Sequence, residues 1–207
     1  MGNFEINSEV TLENQGIKDP LIIIVSGPSG VGKDTILNNM KKITNFYFPI
    51  TVTTRPIRKN EKNGIDYKFI SINLFKNMIV EKEFIEWAKV YEHYYGVPKS
   101  EIQYAKNKNL DIILKTDIQG AFTIKEIIPE SITIFLSPPN IKELSNRLNN
   151  RKTEDKISLE KRLQTSEYEM NQSSKFDYNI VNKTGKINLT IDKIIKIIDK
   201  EIKHNIL

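Results

Sequence analysis

Leu21-Ile22-Ile23-Ile24-Val25-Ser26-Gly27-Pro28-Ser29-Gly30-Val31-Gly32-Lys33 is an apolar run that breaks into a glycine-rich turn and ends on a lysine. The run predicts a buried strand, and the residues from Lys33 to Lys41 predict the helix that follows it. Gly27, Gly30 and Gly32 let successive backbone N–H groups turn inward on a polyphosphate, because no Cβ blocks the approach or the positive φ values. The helix adds its N-terminal dipole, and Lys33 adds a full charge on the β- and γ-phosphates. The segment Gly27-Pro28-Ser29-Gly30-Val31-Gly32-Lys33 is therefore read as a site for a nucleoside triphosphate. One position departs from the usual pattern. A Ser or Thr hydroxyl normally follows the lysine and holds Mg²⁺, whereas this chain has Asp34 and then Thr35. A carboxylate beside a triphosphate is repelled unless it serves the cation, directly or through water, or meets a positive partner.

The chain has 207 residues, enough for one domain with a sizeable core. Charged residues at 28% and hydrophobic ones at 39% give the balance of a soluble globular protein. No run approaches the ~18 apolar residues of a membrane span, and no secretory signal is visible at the N-terminus. There is no cysteine, so disulfides and thiolate metal sites are excluded and the cytoplasm is the expected location. The net charge of +5 raises nucleic-acid binding, but lysines are scattered among Asn, Asp and Glu with no basic stripe interleaved with aromatics. A cationic site for small anionic nucleotides accounts for the surplus as well, and no nucleic-acid partner is expected.

Outward from the loop, strands alternate with helices. Strands are expected near Phe48–Val52, Tyr67–Ile70, Phe84–Val90, Leu110–Leu114, Ile132–Leu136 and Tyr178–Val181. Helices are expected from an Asn73 cap to Glu81, from Ser100 to Lys108, and over Gln119–Ile127, Ile141–Asn149 and Ser158–Asn171. An amphipathic helix with Ile191, Ile194, Ile195, Ile198 and Ile202 on one face closes the chain. Tyr91 to Gly96 reads as a hairpin-like turn. This order predicts an α/β fold of the P-loop NTPase type, a parallel sheet with helices on both faces. Residues 1–19 are expected to be a polar leader, and 20–207 one domain: a core of 20–50 and 101–207 with a strand-rich insert at about 51–100.

A second anion site lies in Thr53-Thr54-Arg55-Pro56-Ile57-Arg58, where two guanidinium forks flank a proline and can clamp one phosphate. Asn63-Gly64-Ile65-Asp66-Tyr67 supplies a turn and a phenol. In Phe84-Ile85-Glu86-Trp87-Ala88 an acid stands inside an apolar strand and needs a donor partner. Guanine offers N1–H and N2–H₂ side by side, a two-point match for a carboxylate; adenine has no such edge. These blocks, in this order, resemble guanylate kinase over about residues 21–203. The resemblance implies phosphoryl transfer from ATP, with Mg²⁺, to GMP and dGMP, by a monomer or homodimer. It implies that Arg55, Arg58, Tyr67 and Tyr95 hold the GMP phosphate. Thr51, Glu86 and Asp117 would read the guanine. Gly27 to Thr35 would hold ATP, with Asn182 near its adenine. Arg147, Arg151 and Arg162 alone read as solvated helix charges; only the resemblance makes them groups of a helical lid at about 145–163 that close, with Lys33 and Arg55, on the transferring phosphoryl group.

Three residues depart from the family pattern. Lys115, in Lys115-Thr116-Asp117, stands where an acid supporting Mg²⁺ is usual, while Asp34 puts an acid into the phosphate loop. A swap is expected: Lys115 pairs with Asp34, the local charge stays roughly level, and a carboxylate remains near the metal. Side chains lying well beyond ~4 Å from each other would contradict it. Val97 replaces a Ser or Thr that contacts guanine in the family. The same departures resemble ribose 1,5-bisphosphate kinase, a relative, so an acceptor of that kind is one alternative. A non-catalytic interaction module is the other.

Overall fold

A computed structural model of the chain describes residues 20–90, 92–149 and 156–204, the side chains of 156–162 and of 204 excepted. The 1–19 leader, Arg151 and most of the basic loop between the lid helices lie outside the described residues. Ile22–Ser26 forms β1 and is buried along its whole length. It pairs in parallel with β6 (Ile112–Lys115) on one side and β7 (Ile132–Ser137) on the other, and β8 (Tyr178–Val181) adds to β7. Side chains alternate across this sheet, so each β1 residue faces one of two cores. Ile23 and Val25 pack with Ile36 and Met40 of α1 (Lys33–Met40) and with Ile191, Ile194 and Ile198 of α7 (Ile187–His204). Ile22 and Ile24 pack on the opposite face with Ile102 of α3 (Lys99–Asn107) and Ile118 and Ile124 of α4 (Ile118–Ile127). The expected α/β sheet covered on both faces is present. Among the described residues no helix is long and apolar enough to cross a membrane.

The expected insert is a second sheet in the order β3-β2-β5-β4, with β2 Val52–Thr53, β3 Lys68–Phe69, β4 Phe84–Val90 and β5 His93–Pro98. Helix α2 (Ile72–Val80) covers it, closing a small core of Val52, Phe75, Met78 and Phe84. Three local expectations are corrected here. The strand expected at Phe48–Val52 is split by Pro49. Tyr47 bridges β6 at the edge of the large sheet, and pairing resumes only at Val52 in the small one; proline has no N–H to carry a ladder across. The segment read as a turn at Tyr91–Gly96 is mostly strand β5, antiparallel to β4. Its glycine serves close packing: a Cβ on Gly96 would lie 2.7 Å from the Phe84 ring. The α2 cap is Ser71, whose Oγ accepts from the Leu74 N–H at 3.2 Å, not Asn73.

The lid expectation meets α5 (Ile141–Asn149), which carries Arg147, and α6 (Lys156–Asn171). Phe75 is fully buried, with its ring centroid 4.5 Å from that of Phe84. Phe75→Ala is expected to lower the unfolding free energy by about 3 kcal/mol, read from urea denaturation. A change below about 1 kcal/mol would mean that the small core does not hold the insert together.

Candidate active site

The phosphate loop leaves the carboxyl end of β1, where parallel α/β sheets place their ligands. Gly27, Gly30 and Gly32 have φ values of 141°, 85° and 106°. A Cβ on Gly27 would strike the Leu136 carbonyl, and one on Gly30 would lie 2.7 Å from Leu148 Cδ2. Glycine is required by both backbone angle and space. Gly32 is the N-cap of α1 and gives it no side-chain cap, leaving the first amides of the helix to the loop's concavity. Lys33 Nζ donates back to the carbonyls of Gly27 and, at 3.3 Å, Pro28. Burial pulls this ammonium below its ordinary 10.5, against the pull of Glu169 and Asp34. Val31 and Thr35 are the loop residues that do not line the cleft: the Val31 side chain is in the core, and Thr35 is exposed, its carbonyl accepting from Asn39.

Asn182 and Arg147 brace this loop from behind. Asn182 is buried, donates from Nδ2 to the Val31 carbonyl at 2.8 Å and accepts from Thr190. Arg147 donates to the same carbonyl at 3.1 Å and to the Asn182 carbonyl at 2.8 Å, and is paired with Glu143 on its own helix. Arg162 lies within α6.

Opposite the loop, the insert contributes the far wall of a cleft of about 630 Å³. Thr51, Arg55, Arg58, Tyr67, Glu86 and Tyr95 line it, and Asp117 completes it from the end of β6. All seven acceptor-side residues read from the sequence meet in this one cleft with the phosphate loop. Arg55 is buried, and its fork is held by Glu61 at 2.8 and 3.0 Å, a partner the sequence reading missed. Its guanidinium carbon lies 5.4 Å from the centre of the Tyr67 ring. Asp117 caps α4, accepting from the Gly120 N–H at 2.8 Å.

The expected swap pair forms. Lys115 Nζ lies 2.5 Å from Asp34 Oδ1 and donates at 2.7 Å to the Tyr67 hydroxyl. Burial alone would lower this ammonium, but Tyr67 and Asp34 outweigh it and hold Lys115 above its ordinary value. Val97 is in the core with Ile102 and Ile118, opposite Glu86 in the β4–β5 ladder. Glu169 of α6 also lines the cleft and was not singled out in the sequence. Burial pushes its carboxyl up to about 7, with Lys33 and the Ser29 amide pulling the other way.

Glu86 is 7% exposed, and among the described residues nothing hydrogen-bonds its carboxyl. It lies against the first turn of α4 at Gly120, where a Cβ would come within 2.7 Å of Oε2. Burial and then the charge of Asp117 push it up to about 8. A buried acid this basic binds a proton that the unfolded chain releases above its ordinary 4.5. The folded state holds more protons throughout that window, so its stability falls as pH rises from 4.5 to about 8. Glu86→Gln removes this slope. Its Tm is expected to exceed that of the parent by a margin that grows between pH 5 and pH 8.5 in thermal unfolding. A margin that stays constant with pH would show that Glu86 is ionised in the free protein.

The sequence model of the family described as guanylate kinase matches residues 19–203. A guanylate kinase of Clostridium tetani is 42% identical over 181 residues, covering 87% of this chain and 86% of that protein. One from Caldanaerobacter subterraneus is 41% identical over 185 residues, 89% of each chain. The crystal structure of guanylate kinase from Anaplasma phagocytophilum superposes with a TM-score of 0.74 at 32% identity, covering 88% of this chain and 86% of that one. With a matching family model across almost all of its length and relatives of this identity and coverage, the chain belongs to the guanylate kinase family.

Proposed function

We propose that this protein transfers the γ-phosphoryl group of ATP to GMP, with dGMP as a second acceptor, forming ADP and GDP or dGDP in the cytoplasm. The observation that carries the reading is Glu86: a buried, unpaired carboxyl facing the same cleft as the phosphate loop. Guanine satisfies it with two adjacent N–H donors, and a base without that edge leaves it orphaned. The enzyme works as a monomer or homodimer.

In this reading Gly27–Thr35 receives the triphosphate, with Lys33 leaving the Gly27 carbonyl for the β- and γ-oxygens. Thr51, Glu86 and Asp117 face the guanine. Arg55, Arg58, Tyr67 and Tyr95 hold the GMP phosphate so that one of its oxygens attacks the γ-phosphorus in line, while the bond to the β–γ bridging oxygen breaks and ADP leaves. Arg147, Arg151 and Arg162 belong to the moving lid of 145–163, and Asn182 fixes the floor beneath the adenine end. Closure of lid and insert excludes water and limits hydrolysis.

The family implies Mg²⁺. Such an ion takes one or two protein carboxylates beside substrate phosphates, and Asp34, with a side chain 55% exposed at the start of α1, provides one such oxygen donor. The donor set fits. Bound there with ATP, Mg²⁺ would supply charge neutralisation on the phosphate oxygens. Lys115 holds Asp34 in place for that role.

ATP consumption in a coupled assay with GMP, dGMP, AMP, IMP and ribose 1,5-bisphosphate tests the proposal. Turnover with GMP and dGMP and little with AMP is expected; silence with GMP would overturn it. Lys33→Ala is expected to lower kcat by about 10²-fold or more. GMP binding at pH 7 is expected to release a proton from Glu86, because guanine's donors require the ionised form. Calorimetry in buffers of different ionisation enthalpy reads this, and Glu86→Gln should abolish it.

A further inference from the structure

Lys115 touches both halves of the cleft. Its ammonium meets Asp34 of the phosphate-loop helix at 2.5 Å and the Tyr67 hydroxyl of the insert at 2.7 Å, and stands 4.2 Å from the centre of the Tyr67 ring. Its side chain is 20% exposed, so these contacts replace water that it has largely lost. A lysine has only hydrogens to give, so Tyr67 must accept with its oxygen. The phenol's own hydrogen therefore turns away from Lys115. Among the described residues no oxygen accepts that hydrogen, and Tyr67 lines the cleft beside Arg55. A phenol that accepts from a cation is polarised and donates more strongly to the next acceptor. That acceptor is the phosphate of the second substrate.

We infer that Lys115 is a positioning residue that aims and strengthens Tyr67 as a donor to the acceptor phosphate, and that through Asp34 it makes this contact depend on the phosphate loop. The inference rests on the GMP reading above. Asp34 is anchored on α1 and meets the acceptor subsite through Lys115. A change at Asp34 is therefore felt by GMP when no ATP and no metal are present. By linkage, whatever engages Asp34 on the donor side alters GMP affinity by the same factor as GMP alters its own.

The test is GMP affinity by calorimetry, without ATP and with EDTA, for the full chain and its Asp34→Asn, Tyr67→Phe and doubly substituted forms. Thermal unfolding checks that each is folded. Tyr67→Phe is expected to weaken GMP binding about tenfold and Asp34→Asn about threefold, with the double variant no weaker than Tyr67→Phe alone. Lys115→Met should remove the effect of Asp34→Asn, and Lys115→Arg, which keeps a donor, should restore affinity to within about twofold. The Asp34–Tyr67 cycle decides the matter even where Lys115→Met does not fold. GMP affinity indifferent to Asp34→Asn, or losses that multiply in the double variant, would overturn the inference while leaving the GMP reading intact. A parent protein that binds no GMP would overturn that reading, and this inference with it.

Discussion

The parallel pairing of β1 with β6 and β7 is the constraint on which the cleft depends. Register sets Val25 beside Lys115 and Ser26 beside Phe135, so the three strands end along one edge of the sheet. The phosphate loop leaves β1 at that edge, and Lys115, Thr116 and Asp117 leave β6 next to it. Donor and acceptor subsites are adjacent because two strand ends are. The pairing is secured by burial: each fully buried Ile or Val of β1 contributes roughly 1.5–3 kcal/mol, from two cores at once. A slip of one residue would exchange the faces of Ile23 and Ile24 and carry Lys115 away from Asp34.

Three of the cleft's cations already have partners within the protein. Arg55 has Glu61, Lys115 has Asp34, and Lys33 has the loop's own carbonyls. These pairs differ in weight. Asp34 is half exposed, so water screens its bond and the pair holds by about 1 kcal/mol or less. Arg55 and Glu61 are 9% and 17% exposed, and removing either leaves a buried charge at a cost of about 3–5 kcal/mol. A phosphate bound at Arg55 as proposed would therefore leave Glu61 in place. The guanidinium has five N–H groups, and Glu61 and the Pro56 carbonyl take three of them. The other two remain for Tyr95 and for a ligand. Glu61 thus fixes the plane of the fork in advance, which lowers the entropy that binding must overcome.

The sequence was legible where chemistry is contiguous. Leu21 to Lys33 carries strand, loop and charge in one stretch, and its glycines fall at the angles expected of them. The acceptor wall was legible only through its resemblance to a family, because Arg55, Tyr67, Glu86 and Asp117 come from separate elements. Glu61 and Glu169 were not legible. Each sits in a polar stretch that reads as solvated surface, and only the folded chain brings it to Arg55 or Lys33. The same holds for Arg147, whose partners Val31 and Asn182 are distant in the chain. Pro49 was visible, but its effect was not: the proline divides one apolar run between two sheets. Val97, read as giving up a hydrogen bond to the base, packs in the core opposite Glu86 in the ladder.

Two of the cleft's acids, one read from the sequence and one not, also change how its charge is counted. Formally Glu86 and Glu169 would oppose a site built for polyphosphates. Burial raises them to about 8 and about 7, so near neutrality the first is mostly uncharged and the second partly so. The cations Lys33, Arg55, Arg58 and Lys115 then meet less opposing charge in the cleft than the formal count of its acids gives. In the proposed reading, the proton on Glu86 is the one lost when guanine's N–H edge replaces the missing hydration. A single carboxyl would then be neutral in the empty cleft and charged once guanine is bound. Discrimination against other bases would follow from the same burial that lifts the pKa, since a base without that edge leaves the acid neither hydrated nor paired.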